Sequence, residues 1–193
     1  MKRYEEAIKI CKEGIEIART NRFQNRYLSL MNILGSIYLA QNRLEKAEQQ
    51  FDIILNYDYS GVSTRIRIDT LIFLAATYAS MERWPEAEKT INDALKLARN
   101  EQAVQLSKVF VVAGNIYAAR EKYSEAVTCY EEAENSANTS DNRKIQHLAL
   151  LQLSHCFDKM GSATSWETCV KKLLRLQQEI DLQKEEDFFH AFV

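Results

Sequence analysis

The sequence of 193 residues contains few of the residues that form turns and crosslinks. Proline occurs once and glycine five times, too few for a protein built from many short β-strands. The four cysteines lack the close, regular spacing of a disulfide or zinc framework; they are Cys11, Cys129, Cys156 and Cys169. We therefore expect reduced thiols, no metal ion and a cytoplasmic location.

An excess of one charge and a long apolar run are also missing. The net charge is −2, which gives no electrostatic argument for binding to nucleic acid or to an anionic membrane. No segment approaches the roughly 18 to 20 consecutive apolar residues that span a bilayer. Glycine-rich phosphate loops and known nucleophile motifs are absent as well. The sequence predicts a protein that is not an enzyme, holds no cofactor, and contacts neither nucleic acid nor membrane.

What the chain does contain is a repeated pattern of small and aromatic residues. An aromatic residue follows a small residue at a spacing of three, and the four aromatics are Tyr38, Tyr78, Tyr117 and Phe157. They are separated by 40, 39 and 40 residues. A fixed period of this length predicts an array of helix hairpins, each of which buries its apolar face against its neighbours.

Apolar residues recur at intervals of three and four along nearly the whole chain, which predicts amphipathic helices. We expect a first helix over 3–20 and a short last helix over about 182–192. Between them we expect the helix pairs 23–41/43–57, 63–81/84–99, 102–120/122–137 and 142–160/163–180. Links between hairpins are expected at 56–61 and 136–142.

The hairpin residues resemble the tetratricopeptide repeat. That family places Leu-Gly-x-x-Tyr on the first helix and Ala-x-x-x-Phe on the second. The pattern is matched here by Leu34, Gly35 and Tyr38, then by Leu44, Ala47 and Phe51. Similar sets recur over 74–94 and 113–133, whereas the last unit follows the pattern poorly. The period of about 40 exceeds the common 34 and resembles that of bacterial peptide-sensing regulators.

The resemblance implies an all-α fold, a right-handed α-solenoid of antiparallel hairpins with about four repeats and a C-terminal capping helix. We expect one domain over 1–193, with repeats at about 23–61, 62–100, 101–140 and 141–180. A half repeat over 1–22 precedes them, and a cap over 181–193 follows them. Because the half repeat matches only a second helix, we expect the chain to be a fragment of a longer protein.

In tetratricopeptide arrays the first helices line a concave groove that receives a segment of another protein. The resemblance therefore implies a non-catalytic scaffold or adaptor with a protein or peptide partner. The alternative is the ligand-sensing, peptide-binding domain of a bacterial transcriptional or signalling regulator. The residues expected in the groove are Asn32, Ser36, Asp69, Phe73, Lys108, Val112, Asn115, Gln152, His155 and Lys159. Asp69 disfavours the subclass that clamps a partner's terminal carboxylate, because like charges repel.

The C-terminal segment combines acidic residues with Phe188, Phe189 and Phe192. Three phenylalanines so close together are too apolar to leave in water. We expect them to cap the open end of the array; the alternatives are that they form a homodimer interface or dock into a neighbouring molecule's groove.

Overall fold

The computed structural model describes residues 2–58, 60–100 and 105–190, and side chains from 3 to 181 within those ranges. All regular secondary structure in them is α-helical, so the predicted all-α fold is confirmed. The helices are α1 (Lys2–Thr20), α2 (Gln24–Ala40), α3 (Leu44–Leu55), α4 (Thr64–Ser80), α5 (Trp84–Asn100), α6 (Leu106–Ala119), α7 (Tyr123–Thr139), α8 (Arg143–Lys159) and α9 (Ala163–His190).

The chain divides into two compact units, residues 1–105 and residues 106–193. In the first unit α1 packs on α2, and the hairpins α2/α3 and α4/α5 pack together through α3 and α4 and through α2 and α4. In the second unit the hairpins α6/α7 and α8/α9 pack through α7 and α8, and α6 also contacts α8. The predicted antiparallel hairpins are therefore present in both units.

The repeated aromatic residues lie at the turns that join the two helices of each hairpin. In each turn one residue has a left-handed backbone, and these residues are Asn42, Glu82, Glu121 and Gly161. The next N–H donates to the carbonyl of the repeated aromatic, at 2.9 Å for Tyr38, 2.9 Å for Tyr78, 3.0 Å for Tyr117 and 2.9 Å for Phe157. This bond satisfies a carbonyl that the helix end would otherwise leave unpaired. The spacing of 40, 39 and 40 residues is thus the spacing of four equivalent turns.

The same kind of turn also joins α7 to α8, at Asp141. The N–H of Asn142 donates to the carbonyl of Ala137 at 2.8 Å, and α7 continues to Thr139. The predicted link over 136–142 therefore starts too early, because residues 136–139 belong to α7. The link is a short turn that ends in a helix cap. The side chain of Asn142 in this turn accepts a hydrogen bond from the N–H of Ile145 and so caps α8.

Each unit has its own apolar core, and the repeated aromatics lie half-buried against it. Tyr38 and Tyr78 pack against the core of the first unit, which contains Phe51. Tyr117 and Phe157 pack against the core of the second unit. The aromatics therefore fill space between neighbouring helices.

An ion-pair network links neighbouring hairpins in the first unit. Arg83 Nη1 lies 2.7 Å from Glu48 Oε1 on α3, and its Nε lies 2.9 Å from Glu86 Oε1. The guanidinium also lies 4.5 Å from the centroid of the Tyr78 ring. Hydrogen bonds to the two glutamates raise the pKa of Arg83 above its ordinary value. Because these side chains are partly exposed, the network fixes geometry more than it adds stability.

The C-terminal helix α9 is a single helix of 28 residues, and the prediction of a separate helix over 182–192 is wrong. At 1.5 Å per residue α9 is about 42 Å long. Arg143, at the start of α8, lies 3.4 Å from Glu179, so roughly the last ten residues of α9 extend past its hairpin partner. The side chains of Phe188 and Phe189, and the whole of Phe192, lie outside the described residues, so the cap and the homodimer stay predictions.

Candidate functional site

In the first unit, the first helix of each hairpin has one face on which every residue is at least partly exposed. On α2 this face carries Ser29, Ile33, Ser36 and Ala40, and on α4 it carries Asp69, Phe73, Ala76 and Ser80. The steps of four, three and four residues place each set on one side of its helix. None of the eight residues is buried. We call these positions, and their equivalents in the second unit, the open row.

The second unit has an equivalent open row. Counted from the row on α4, its positions lie 39 residues later on α6 and 79 residues later on α8. Its members are Lys108, Val112, Asn115 and Ala119 on α6, and Leu148, Gln152, His155 and Lys159 on α8. None of these residues is buried either. Nine of the ten groove residues expected from the sequence belong to the open row of their own unit.

The tenth, Asn32, does not lie on that face. It is only 5% exposed, and its Nδ2 donates to the carbonyl of Ile66 on α4 at 3.2 Å. Its amide therefore joins α2 to α4, and the expectation that it projects into a groove is wrong. The residue that sequence reasoning missed is its neighbour Ile33, which is 49% exposed. The repeat spacing could have identified Ile33 as a residue of this face, because it stands 40 residues before Phe73.

Two members of the first unit's row are engaged within the protein. The ring of Phe73 stacks on Phe51 with centroids 5.8 Å apart, so part of its apolar surface belongs to the core. The carboxylate of Asp69 lies 3.7 Å from Arg65 Nε on the same helix. The exposed members of this row are Ser29, Ile33, Ala40 and Ser80.

Asn115, in the second unit, is held in one orientation. The hydroxyl of Tyr130 donates to Asn115 Oδ1 at 2.7 Å, and Tyr130 is fully buried. With its oxygen engaged, the exposed amide presents its Nδ2 donors outward. Burial also raises the pKa of Tyr130, so the phenol stays protonated and keeps donating at neutral pH.

A cleft of about 440 Å³ opens between α8 and α9, beside the open row of the second unit. Its walls contain Gln152 and His155 from the row, together with Leu151, Ser154, Asp158 and Trp166. Leu151 is 47% exposed and Trp166 43% exposed. Sequence reasoning missed these two apolar residues, since the unit fits the repeat pattern poorly.

The titratable groups of the described residues offer little chemistry. All four cysteines are free thiols. Burial raises the pKa of each, and that of Cys129 reaches about 11 with help from Glu132 and Glu125. A thiol of this kind is a poor nucleophile, because the thiolate is the reactive form.

In the part of the chain that the structure describes, no three His, Cys, Asp or Glu side chains come together as a metal site would require. Among the same residues, no helix has both the length and the apolar character that crossing a membrane requires.

Helix hairpins with equivalent turns and a recurring open face define a helical-repeat protein. Residues 67–139 match the family model described as tetratricopeptide repeat, in agreement with the resemblance that the sequence predicted. A human relative, tetratricopeptide repeat protein 29, is 28% identical over 138 residues, which are 68% of this chain and 28% of that protein. The chain thus spans little more than a quarter of this relative's length.

Two solved structures share the fold. BtubC (BKLC) from P. vanneervenii matches with a TM-score of 0.60 and 14% identity, over 92% of both chains. A putative kinesin light chain from Podosopora anserina, with nearly identical TPR-like repeats, matches with a TM-score of 0.64 and 12% identity, over 92% of this chain and 88% of that one. The TPR-like solenoid fold is therefore confirmed. In general this fold supports a protein-interaction scaffold.

Proposed function

We propose that the protein is a non-catalytic scaffold that binds a segment of a partner protein on the open rows of its first helices. The proposal rests on one observation, which is that the exposed residues occupy equivalent positions in the four first helices. At four equivalent positions in each of four first helices, all sixteen side chains are at least partly exposed. Helix faces that no other part of a fold covers are available to a partner.

The chemistry of these rows suits a polypeptide. Asn115 presents amide donors that can bond to a partner's backbone carbonyls. Ile33 and Val112 offer apolar contacts, and Lys108 and Lys159 supply charge at the row's edges. The alternative, a peptide-sensing regulatory domain, uses the same faces and remains a prediction. The free thiols support a reducing compartment, and we propose the cytoplasm.

The test compares two isoleucines that are exposed to a similar degree. Ile33 lies in the open row of α2, whereas Ile53 lies on the second helix α3 and is 55% exposed. We would immobilise the purified chain, capture proteins from an extract of the cells it comes from, and quantify them by isotope labelling. Ile33→Ser combined with Asn115→Ala should reduce capture of the specific partner at least tenfold, an effect of about 1.4 kcal/mol.

The control variant combines Ile53→Ser with Thr128→Ala, on α3 and α7. It makes the same kinds of change outside the rows and should leave capture unchanged. Circular dichroism of both variants checks that the helices are intact. Equal capture by the row variant and the wild type would reject the open rows as the binding surface.

A further inference from the structure

The cleft between α8 and α9 arises from a reversal of two residue sizes in the last hairpin. In the other three hairpins a large residue stands two positions after the left-handed turn residue, and an alanine stands five positions after it. These alanines are Ala47, Ala87 and Ala126, and each is fully buried. In the last hairpin the order is Ala163 and then Trp166. Trp166 occupies the position of these alanines in the hydrogen-bond pattern. Its N–H donates to the carbonyl four residues earlier at 2.9 Å, as the N–H of Ala47 does at 3.1 Å.

An indole does not fit where an alanine side chain is enclosed. Trp166 therefore lies partly outside, and the space beside it is the cleft of about 440 Å³. The position that Phe51 and Tyr130 fill with rings in the first and third hairpins holds the smaller Val170 here. The cleft is a property of this hairpin and not of the repeat pattern.

The walls of the cleft combine one carboxylate with apolar and aromatic surface. Asp158 is exposed, and no cationic side chain of the described residues pairs with it. Leu151 supplies aliphatic surface, and Trp166 supplies an indole face, which attracts cations. Gln152 adds an amide oxygen that accepts hydrogen bonds. A carboxylate, an indole and an aliphatic wall together fit a side chain with an apolar stem and a cationic head.

We propose that this cleft binds an arginine side chain of the partner protein. The guanidinium stacks on Trp166 and pairs with Asp158, while its methylene stem lies along Leu151. Arginine suits the site better than lysine, because a planar guanidinium stacks on an aromatic ring and is more weakly hydrated. This inference rests on the proposed function, since Gln152 and His155 belong to both the cleft and the open row.

The test uses the indole N–H signals of the two tryptophans in a ¹H–¹⁵N NMR spectrum. Trp166 lies in the cleft and Trp84 lies in the first unit, so one signal reports binding and the other serves as an internal control. The probes are three blocked pentapeptides: acetyl-Ala-Leu-Arg-Leu-Ala-amide, the same peptide with citrulline for arginine, and the same peptide with glutamate. Citrulline keeps the shape of arginine and removes its charge.

We expect the arginine peptide to move the Trp166 signal to saturation and to leave that of Trp84 in place. Citrulline should weaken binding about fivefold or more, and glutamate should abolish it, since a cation on an indole and beside a carboxylate contributes on this scale. Asp158→Asn should likewise weaken binding of the arginine peptide about fivefold. Asp141→Asn, an exposed aspartate of the same unit outside the cleft, should leave it unchanged.

Equal binding of the three peptides, an unchanged affinity in Asp158→Asn, or an immobile Trp166 signal would overturn the arginine site. The proposed function fails on separate evidence. If Ile33→Ser with Asn115→Ala abolishes partner capture while the Trp166 signal ignores the arginine peptide, the open rows stand and the cleft inference is wrong. If that variant captures the partner normally, the open-row function is wrong whatever the peptides do.

Discussion

A Cβ atom on Gly35 would lie 2.4 Å from Cε1 of Phe51, so the phenylalanine ring occupies the space that any larger residue at position 35 requires. The third hairpin repeats this relationship, because a Cβ atom on Gly114 would lie 2.5 Å from Cε1 of Tyr130. In the second and fourth hairpins, the position of the glycine holds a larger residue, and the position of the ring, sixteen residues later, holds a smaller one. These pairs are Ala75 with Ile91 and Ser154 with Val170. In the first and third hairpins the two helices thus meet at a glycine and a ring of complementary size.

We expect Gly35→Ala to destabilise the first unit by about 1 to 3 kcal/mol, because the new methyl group meets a buried ring in a packed core. Alanine favours a helix over glycine by about 1 kcal/mol, so the measured loss is the overlap minus that gain. Urea denaturation followed by circular dichroism measures it.

The double variant Gly35→Ala with Phe51→Ile recreates the pair found in the second hairpin. It should recover part of the loss, because the smaller side chain gives the methyl group room. Gly61→Ala is a poor control, since Gly61 has a left-handed backbone; Ser29→Ala, on the open face of the same helix, is the suitable one. A Gly35→Ala protein as stable as the wild type would contradict the size relationship.

Tyr130→Phe should cost about 1 kcal/mol, the net contribution of one hydrogen bond. The ring still fills the space beside Gly114, and only the donor to Asn115 Oδ1 is removed. Tyr123→Phe is the matched control on the same helix, because the hydroxyl of Tyr123 makes no hydrogen bond among the described residues. Urea midpoints of the two variants should differ, with only Tyr130→Phe lowered. Equal midpoints would show that the bond to Asn115 does not stabilise the unit.

The thiol of Cys129 should react slowly in the folded protein. Burial, with Glu132 and Glu125, raises its pKa from 9.0 to about 11. At pH 9 the thiolate fraction is then roughly fiftyfold lower than in the unfolded chain. Iodoacetamide labelling followed by mass spectrometry, with and without urea, measures the ratio. Equal rates in both states would contradict the raised pKa.

The same shift predicts how stability depends on pH. Because the folded pKa of Cys129 lies above the unfolded one, its contribution is fully present below about pH 9. The contribution is lost as pH rises through about 11, since the unfolded chain releases its proton first. Cys129→Ala should therefore flatten part of the decline in unfolding free energy between pH 9 and 11. A decline as steep as that of the wild type would assign the effect to other groups.

Restoring the usual order of residue sizes in the last hairpin should stabilise the second unit. The variant Ala163→Leu with Trp166→Ala places a large residue and then an alanine after Gly161, as in the other hairpins. Substitutions of this consensus kind commonly add about 1 kcal/mol, and the urea midpoint should rise. The Trp166→Phe variant keeps a ring in place and should not show this gain. A lower midpoint for the double variant would mean that the cleft is not a packing defect.

The helices and their register could be predicted from the sequence because both follow from local rules. Apolar residues at intervals of three and four define the helices. The spacing of Tyr38, Tyr78, Tyr117 and Phe157 defines four equivalent turns, since each carbonyl closes its turn. Once the turns are fixed, the open rows follow by counting, and nine of the ten expected residues lie in them.

What the sequence could not supply depends on contacts between helices. Asn32 is polar, yet its amide bonds to the carbonyl of Ile66, 34 residues away, so polarity alone placed it wrongly on the surface. Trp166 occupies the position of a buried alanine in the other hairpins. Its exposure depends on the side chains around it, which the sequence alone does not place. The long α9 was also missed, because the acidic residues after 183 resembled the start of a new helix.

The left-handed turns described above close through main-chain atoms, and four of the five, at Asn42, Glu82, Glu121 and Asp141, carry a side chain other than glycine. Framework and surface are therefore specified largely by different residues: main-chain carbonyls and buried small residues hold the hairpins, while Ser29, Ile33 and Ala40 on α2 are exposed. If the open rows bind a polypeptide, as we propose, such a division lets the identity of that polypeptide drift through substitutions while the stacking geometry is inherited intact.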